Sequence, residues 1–206
     1  MVYWDDLGFA TAYTVDPEPE YPADGDWGVP EVRLLKSYGS LLGAPLAVVR
    51  PIDAEPWLLS ASIAEWGALY GSPNPHEIYF LDRFLALIRV DVRRPTDYQE
   101  VDTLPIHVSA SVQQGLLLVA GQYDLDAFDE DGLRWRSERL FLGDLQVVRT
   151  FRDRIVCSGS SIAGPQVELV LDAATGAITR GTPVAGGTPY LRPGIPAYVP
   201  PSTNPT

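Results

Sequence analysis

Five carboxylates crowd into one short stretch: Asp124, Asp126, Asp129, Glu130 and Asp131. Closely spaced oxygen ligands are what a calcium loop needs, so the cluster is the first candidate for chemistry. An EF-hand loop requires D-x-[DN]-x-[DN]-G with a Glu further on. Phe128 breaks that spacing, and no Glu follows Gly132 at the required distance. The cluster therefore reads as a solvated hairpin with Arg134 and Arg136 across from it, and no metal site is assigned.

Cys157 and His107 are the second candidate, because a thiol beside an imidazole can act as nucleophile and base. Yet Cys157 sits mid-strand in Ile155-Val156-Cys157-Ser158-Gly159, where a cysteine behaves as a small core hydrophobe. His76 follows Pro73-Asn74-Pro75 and reads as a loop residue. Two histidines and one cysteine make no zinc site unless carboxylates complete it. Ser158-Gly159-Ser160-Ser161 lacks the G-x-S-x-G elbow. The chain also lacks a P-loop, a G-x-G-x-x-G and an H-E-x-x-H. No catalytic residue and no cofactor is assigned, and the chain is not expected to be an enzyme.

The third candidate is a surface. Residues 1–31 hold eight acids and no Lys or Arg, and the first base is Arg33. The remaining 19 acids face 15 bases, so most of the net charge of −12 belongs to the N-terminal segment. A field of that sign disfavours nucleic acid, whose binding needs phosphates neutralised by Lys and Arg. It suits a basic protein partner. Asp16, Glu18, Glu20, Asp24 and Asp26 would steer that partner, with Tyr21 and Trp27 as desolvated anchors. An immunity protein or antitoxin is one example of such a binder. The alternative is a small-molecule-binding or sensing module, its apolar pocket walled by Trp57, Trp66 and Trp135.

These groups need strands to position them. Tyr123 to Phe128 alternates apolar and polar, the period of a half-buried strand. A three-residue loop, Glu130-Asp131-Gly132, would place Tyr123, Leu125, Ala127, Leu133 and Trp135 on one face, with Asp126 opposite Arg136 on the other. Further strands are expected at 145–151, 155–160, 167–172 and 177–181. Asp172-Ala173-Ala174-Thr175-Gly176 makes a second glycine-tipped turn, 44 residues after the first.

Leu125-Asp126-Ala127-Phe128-Asp129 with Gly132-Leu133-Arg134-Trp135, then Leu171-Asp172 with Thr175-Gly176, resembles a blade of the quinoprotein type of β-propeller. It is also similar to small, uncharacterised bacterial all-β proteins. The likeness covers about a third of the chain and implies a fold, not a chemistry. Only one such unit is visible, whereas a closed propeller needs at least about four blades.

The N-terminal half yields strands at 32–38 and 46–50, a helix over Trp57–Tyr70 from its apolar spacing, a hairpin over 77–92 with Asp82-Arg83 near its tip, and a strand at 106–112. The expectation is a single all-β, mainly antiparallel domain: a sandwich or strongly curved sheet of nine to eleven strands with propeller-blade-like hairpins and at most one or two short helices. Residues 1–31 form an acidic arm rich in proline and aromatics, 32–182 the β domain, and 183–206 a proline-rich tail. A lone cysteine, no leader-like start and no apolar run approaching the roughly 20 residues of a membrane helix point to a cytoplasmic protein.

Overall fold

The computed structural model describes residues 3–34, 44–61, 68–81, 86–103, 105–161 and 164–183. Strand is the dominant regular structure of the described residues, and their one helical element is a 3-10 turn at Val112–Gln114. No helix among the described residues is long and apolar enough to cross a membrane.

The first strands are β1 (Tyr3–Asp5), β2 (Tyr13–Pro17), β3 (Glu31–Leu34), β4 (Ala44–Pro51) and β5 (Trp57–Ala61). Sheet I has the order β2-β4-β5-β3, with β3 parallel to β5. Next come β6 (Ala68–Gly71), β7 (Glu77–Leu81), β8 (Leu87–Asp91) and β9 (Gln99–Val101). These form sheet II as a meander, and β1 adds to its edge parallel to β6. Sheet III is the meander β10 (His107–Ser111), β11 (Leu116–Ala120), β12 (Leu125–Asp129) and β13 (Gly132–Arg136). Sheet IV repeats the plan with β14 (Gly143–Thr150), β15 (Arg154–Ser161), β16 (Gly164–Asp172) and β17 (Ile178–Arg180).

Neighbouring sheets share a core in chain order. Val49, Trp57 and Leu59 of sheet I pack with Ile78, Phe80 and Val90 of sheet II. The other face of sheet II sends Tyr79 and Leu87 against Leu117, Val119 and Phe128 of sheet III. Leu116, Leu118, Leu125 and Trp135 on the far face of sheet III meet Ile155, Cys157, Leu169 and Leu171 of sheet IV. Sheets II and III are thus buried on both faces. That explains the unbroken apolar runs Ile78-Tyr79-Phe80 and Leu116 to Ala120, since a strand covered on both sides has no face to leave polar.

The helix expected over Trp57–Tyr70 is not formed. Strands β5 and β6 occupy its two ends, and residues 62–67 lie outside the described residues. Ile63 and Trp66 fall in that gap. The helix reading rests on the three-to-four spacing of Ile63, Trp66 and Tyr70, whereas Trp57 and Leu59, two apart, share the buried face of a strand, and β-sheet pairing decided the outcome. Among the described residues there are seventeen strands, against the nine to eleven expected. The hairpin over 77–92 is present, with Leu81 opposite Leu87. Asp82 and Arg83 lie outside the described residues, as does the tail beyond residue 183.

The hairpin at Gly132 forms with a tighter turn than expected. Asp129 pairs directly with Gly132, leaving Glu130-Asp131 as the two-residue connection, and a bulge follows between Ala127 and Phe128. The bulge restores Asp126 opposite Arg136 and Ala127 opposite Trp135. It also turns Leu133 onto the face of Phe128, half-exposed, rather than beside Trp135. The larger correction concerns Asp126. The carboxylate is 1% exposed, not wet, and its two oxygens accept from Arg136 Nε (2.6 Å) and Nη2 (2.7 Å).

Sheet IV approaches the 137–142 linker closely. A Cβ at Gly159 would lie 2.4 Å from the Phe141 ring, which is fully buried. Gly159→Ala is therefore expected to destabilise the protein by about 1–3 kcal/mol through overpacking. At Gly143 no heavy atom stands within 4 Å of the new Cβ, so Gly143→Ala should change stability by less than about 0.5 kcal/mol. Urea denaturation of both variants checks this, and equal losses at the two positions would contradict the packing described.

Candidate polar cleft between sheets II and III

Charged side chains on the face of sheet II that looks towards sheet III, with the turn after β8, build a cleft of about 410 Å³, lined by Glu77, Arg89, Asp91, Arg94, Asp97 and Gln99. That size suits a small ligand. The strands set its floor. Glu77 pairs with Asp91, Tyr79 with Arg89, and Arg89 with Gln99. Because side chains two apart share a face, Glu77, Tyr79, Arg89, Asp91 and Gln99 all project towards sheet III. The turn after β8 supplies the rim: Arg94 N–H donates to the Asp91 carbonyl (3.0 Å) and Asp97 N–H to the Arg94 carbonyl (2.9 Å).

Arg89 grips Glu77 with two donors. Nε lies 2.8 Å from Oε2, and Nη2 bonds Oε1. A paired carboxylate and guanidinium of matching geometry are the form in which buried charges survive. Glu77 is buried and Arg89 partly so, and the hydrogen bonds that Arg89 donates to Glu77 raise the Arg89 pKa above its already high value. Gly132 of sheet III lies over this pair. Its φ of +124° is open to glycine, and a Cβ there would stand 3.1 Å from Arg89 Nη1. Tyr79 is wholly buried nearby, with a hydroxyl that finds no hydrogen-bond partner among the described residues. Burial raises its pKa, so the phenol stays protonated.

Asp91 accepts four hydrogen bonds. They come from the Arg93 backbone N–H (3.0 Å), Arg93 Nε (3.1 Å), Arg93 Nη2 (3.1 Å) and Arg94 Nη2 (3.2 Å). Burial alone would raise its pKa, but the arginine hydrogen bonds outweigh that and lower it to about 2. The rim is looser. Arg94 Nη1 stands 3.9 Å from Asp97 Oδ2, and both side chains are mostly exposed, at 68% and 63%.

The sequence-predicted residues fall elsewhere. Asp16, Glu18, Glu20, Asp24 and Asp26 are all exposed. Asp16 belongs to β2, and the others lie on the loop that follows it. Tyr21 and Trp27 meet edge to face with centroids 5.5 Å apart. Trp57 and Trp135 sit in different cores, I–II and III–IV. Each indole N–H donates to a backbone carbonyl, Trp57 to Val92 (2.9 Å) and Trp135 to Ala173 (3.0 Å). They therefore wall no common pocket, and Trp66 lies outside the described residues. Cys157 is buried in the III–IV core, where burial pushes its thiol up to about 12, while His107 is exposed at the start of β10. No hydrogen bond joins that thiol to that imidazole, and a thiol at that pKa is no nucleophile at neutral pH. Among the described residues no three His, Cys, Asp or Glu side chains gather closely enough to hold a metal ion.

The cleft residues escaped the sequence reading because they are spread over three strands and a turn. The available signal was the charge inside an apolar hairpin: Glu77 before Ile78-Tyr79-Phe80, and Arg89 and Asp91 either side of Val90. The chain matches no protein-family model, and no curated protein matches it.

Two outcomes follow from these pairs. The Asp91 carboxylate has a pKa lower in the folded state than its ordinary value, so it stabilises the fold above about pH 4. That contribution should disappear as pH falls towards about 2. Denaturation curves between pH 5 and 2 should show a drop that is shallower in Asp91→Asn. Removing one partner of the Asp126–Arg136 pair leaves a buried charge alone, so Arg136→Ala should cost about 3–5 kcal/mol. Asp126→Leu with Arg136→Met should recover most of that loss in the same assay.

Proposed function

We propose that this chain is a non-catalytic interaction protein that captures a basic protein partner through the surface formed by Asp16, Glu18, Glu20, Tyr21, Asp24, Asp26 and Trp27. The observation that supports it is an exposed aromatic anchor in a stretch of exposed acids. Tyr21 is 72% exposed and braced edge-on by Trp27. Five exposed carboxylates surround it in sequence, and no base occurs before Arg33.

Local bonds hold this surface in shape. Asp24 Oδ1 accepts from the Asp26 N–H (3.1 Å), and Asp26 Oδ1 from the Gly28 N–H (2.9 Å). Such turns cost less ordering when a partner docks. Acids steer a basic partner and accelerate its approach, while a desolvated aromatic supplies most of the hold. A cytoplasmic bacterial immunity or antitoxin-type protein is the kind of binder this describes. The serial sheets and their recurring turns favour reading the body as blades of the propeller type that its motifs resemble, serving as a rigid scaffold.

The test is binding of a fluorescent arginine-rich peptide at low and moderate salt. Asp16→Lys, Glu18→Lys and Glu20→Lys together should weaken it at least tenfold. Tyr21→Ala should cost about 2 kcal/mol, the scale of an interface anchor. Reversal of three exposed acids elsewhere, Glu55, Asp153 and Glu168, should change little. Equal losses from the two triple variants would reduce the effect to net charge and remove this reading.

A further inference from the structure

Sheet IV ends the stack, and its outward face is partly open. Ile155, Cys157, Leu169 and Leu171 point into the III–IV core, so the residues between them point away. Val156 pairs with Arg149 and Val170, and Val170 with Arg180. Both valines are half-buried, and Val148, at the bulge of β14, is 43% exposed. The outward pair on sheet I, Val48 with Leu58, is by contrast 4% and 0% exposed. Thr179 stands three residues after the turn glycine, the place that Trp135 holds in sheet III. Its hydroxyl donates back to the Val170 carbonyl (3.1 Å). That position therefore offers no side chain to fix a following sheet in the manner of Trp135.

Charge selects the occupant. Residues 143–180 hold four arginines and four acids, so the other 23 acids and 11 bases carry all of the net charge of −12. Two copies of an acidic protein repel at most approaches. They escape that repulsion where each presents a neutral face. We infer that two copies of this chain associate weakly through sheet IV, face to face about a two-fold axis. Such an interface uses one patch on both partners, so the patch must complement itself. Here valines occupy its centre, and Arg149, Arg154, Arg180 and Glu168 stand exposed around them. Two sheets so apposed pack about 10 Å apart with their side chains interleaved. The three long strands of sheet IV have eight, eight and nine residues. At about 4.8 Å between strands and about 3.4 Å per residue they span roughly 400 Å². A standard interface buries about 800 Å² per partner, so this dimer is weak, with a Kd on the order of 100 μM.

The inference is independent of the surface at residues 16–27, and its test keeps the two apart. Sedimentation equilibrium of the full chain is measured from about 10 μM to about 1 mM. A monomer–dimer equilibrium is expected. It should hold or tighten as salt rises, because salt screens the repulsion between two acidic bodies. Val148→Asp should weaken it at least tenfold. Glu168→Arg should weaken it at least fivefold by leaving the face basic on both copies. Both positions are exposed, so the variants should fold. Leu133→Asp, at an exposed leucine of sheet III, should change it less than twofold. A monomer throughout, or equal losses from Val148→Asp and Leu133→Asp, would overturn the proposal. So would association that falls with salt and tightens in Glu168→Arg, the behaviour of an acidic loop docking on the arginines of another copy. Binding of the arginine-rich peptide should be unchanged in Val148→Asp, so either reading can fail alone.

Discussion

Each sheet after the first is pinned to its predecessor by one hydrogen bond of recurring design. A strand ends in Asp, and the carbonyl of the next residue accepts an N–H from a side chain of the preceding sheet. Trp57 of sheet I reaches Val92, after Asp91. Asn74, in the β6–β7 connection of sheet II, reaches Glu130, after Asp129. Trp135 of sheet III reaches Ala173, after Asp172. In all three places the aspartate Oδ1 accepts from the backbone N–H two residues on, which turns the carbonyl outward. The Trp57 and Trp135 bonds are buried, where a carbonyl left unpaired would be costly, so they favour one relative placement of their sheets, while the Asn74 bond is exposed. The glycine at 176 completes the last of these sites, since any Cβ there would overlap the Trp135 ring.

Pinned sheets bury both faces of the middle of the stack, and this governs the charges. Glu77, Arg89, Asp126 and Arg136 all project into the II–III layer. Arg136 also donates to the Asp102 carbonyl at 2.8 Å. Each carboxylate there must meet its guanidinium with two bonds, because an isolated charge in that layer would outweigh the gain from packing. Alongside the apolar cluster of Tyr79, Leu87, Leu117, Val119 and Phe128, the sheet II face carries charged side chains, and there the cleft opens. Cleft and scaffold are therefore consequences of the same stacking. The acidic surface at residues 16–27 is different in kind, resting on a loop whose turns are bonded locally.

How far the sequence could be read depended on the range of the interactions involved. The strands at 145–151, 155–160 and 167–172 were legible because alternation and glycine turns are local signals. The pairing of Asp126 with Arg136 was legible for the same reason, although it required a bulge that no local rule places. The false helix over 57–70 arose where apolar spacing satisfies two periods and only partner strands arbitrate. The recurrence of the Asp turn at 91 was hidden because Arg93-Arg94-Pro95 carries no glycine to announce it.

Composition and periodicity alone determined an all-β chain, its acidic N-terminal segment and a Trp135 that had to be buried. Those follow from side-chain transfer energies and from a two-residue repeat, which act within a few positions. Tertiary structure alone decided that Asp126 is buried, that Trp57 and Trp135 serve separate cores, and that Glu77, Arg89, Asp91 and Gln99 share one cleft. Those outcomes depend on which faces of which sheets meet, and strands distant in the chain settle that only when they pack.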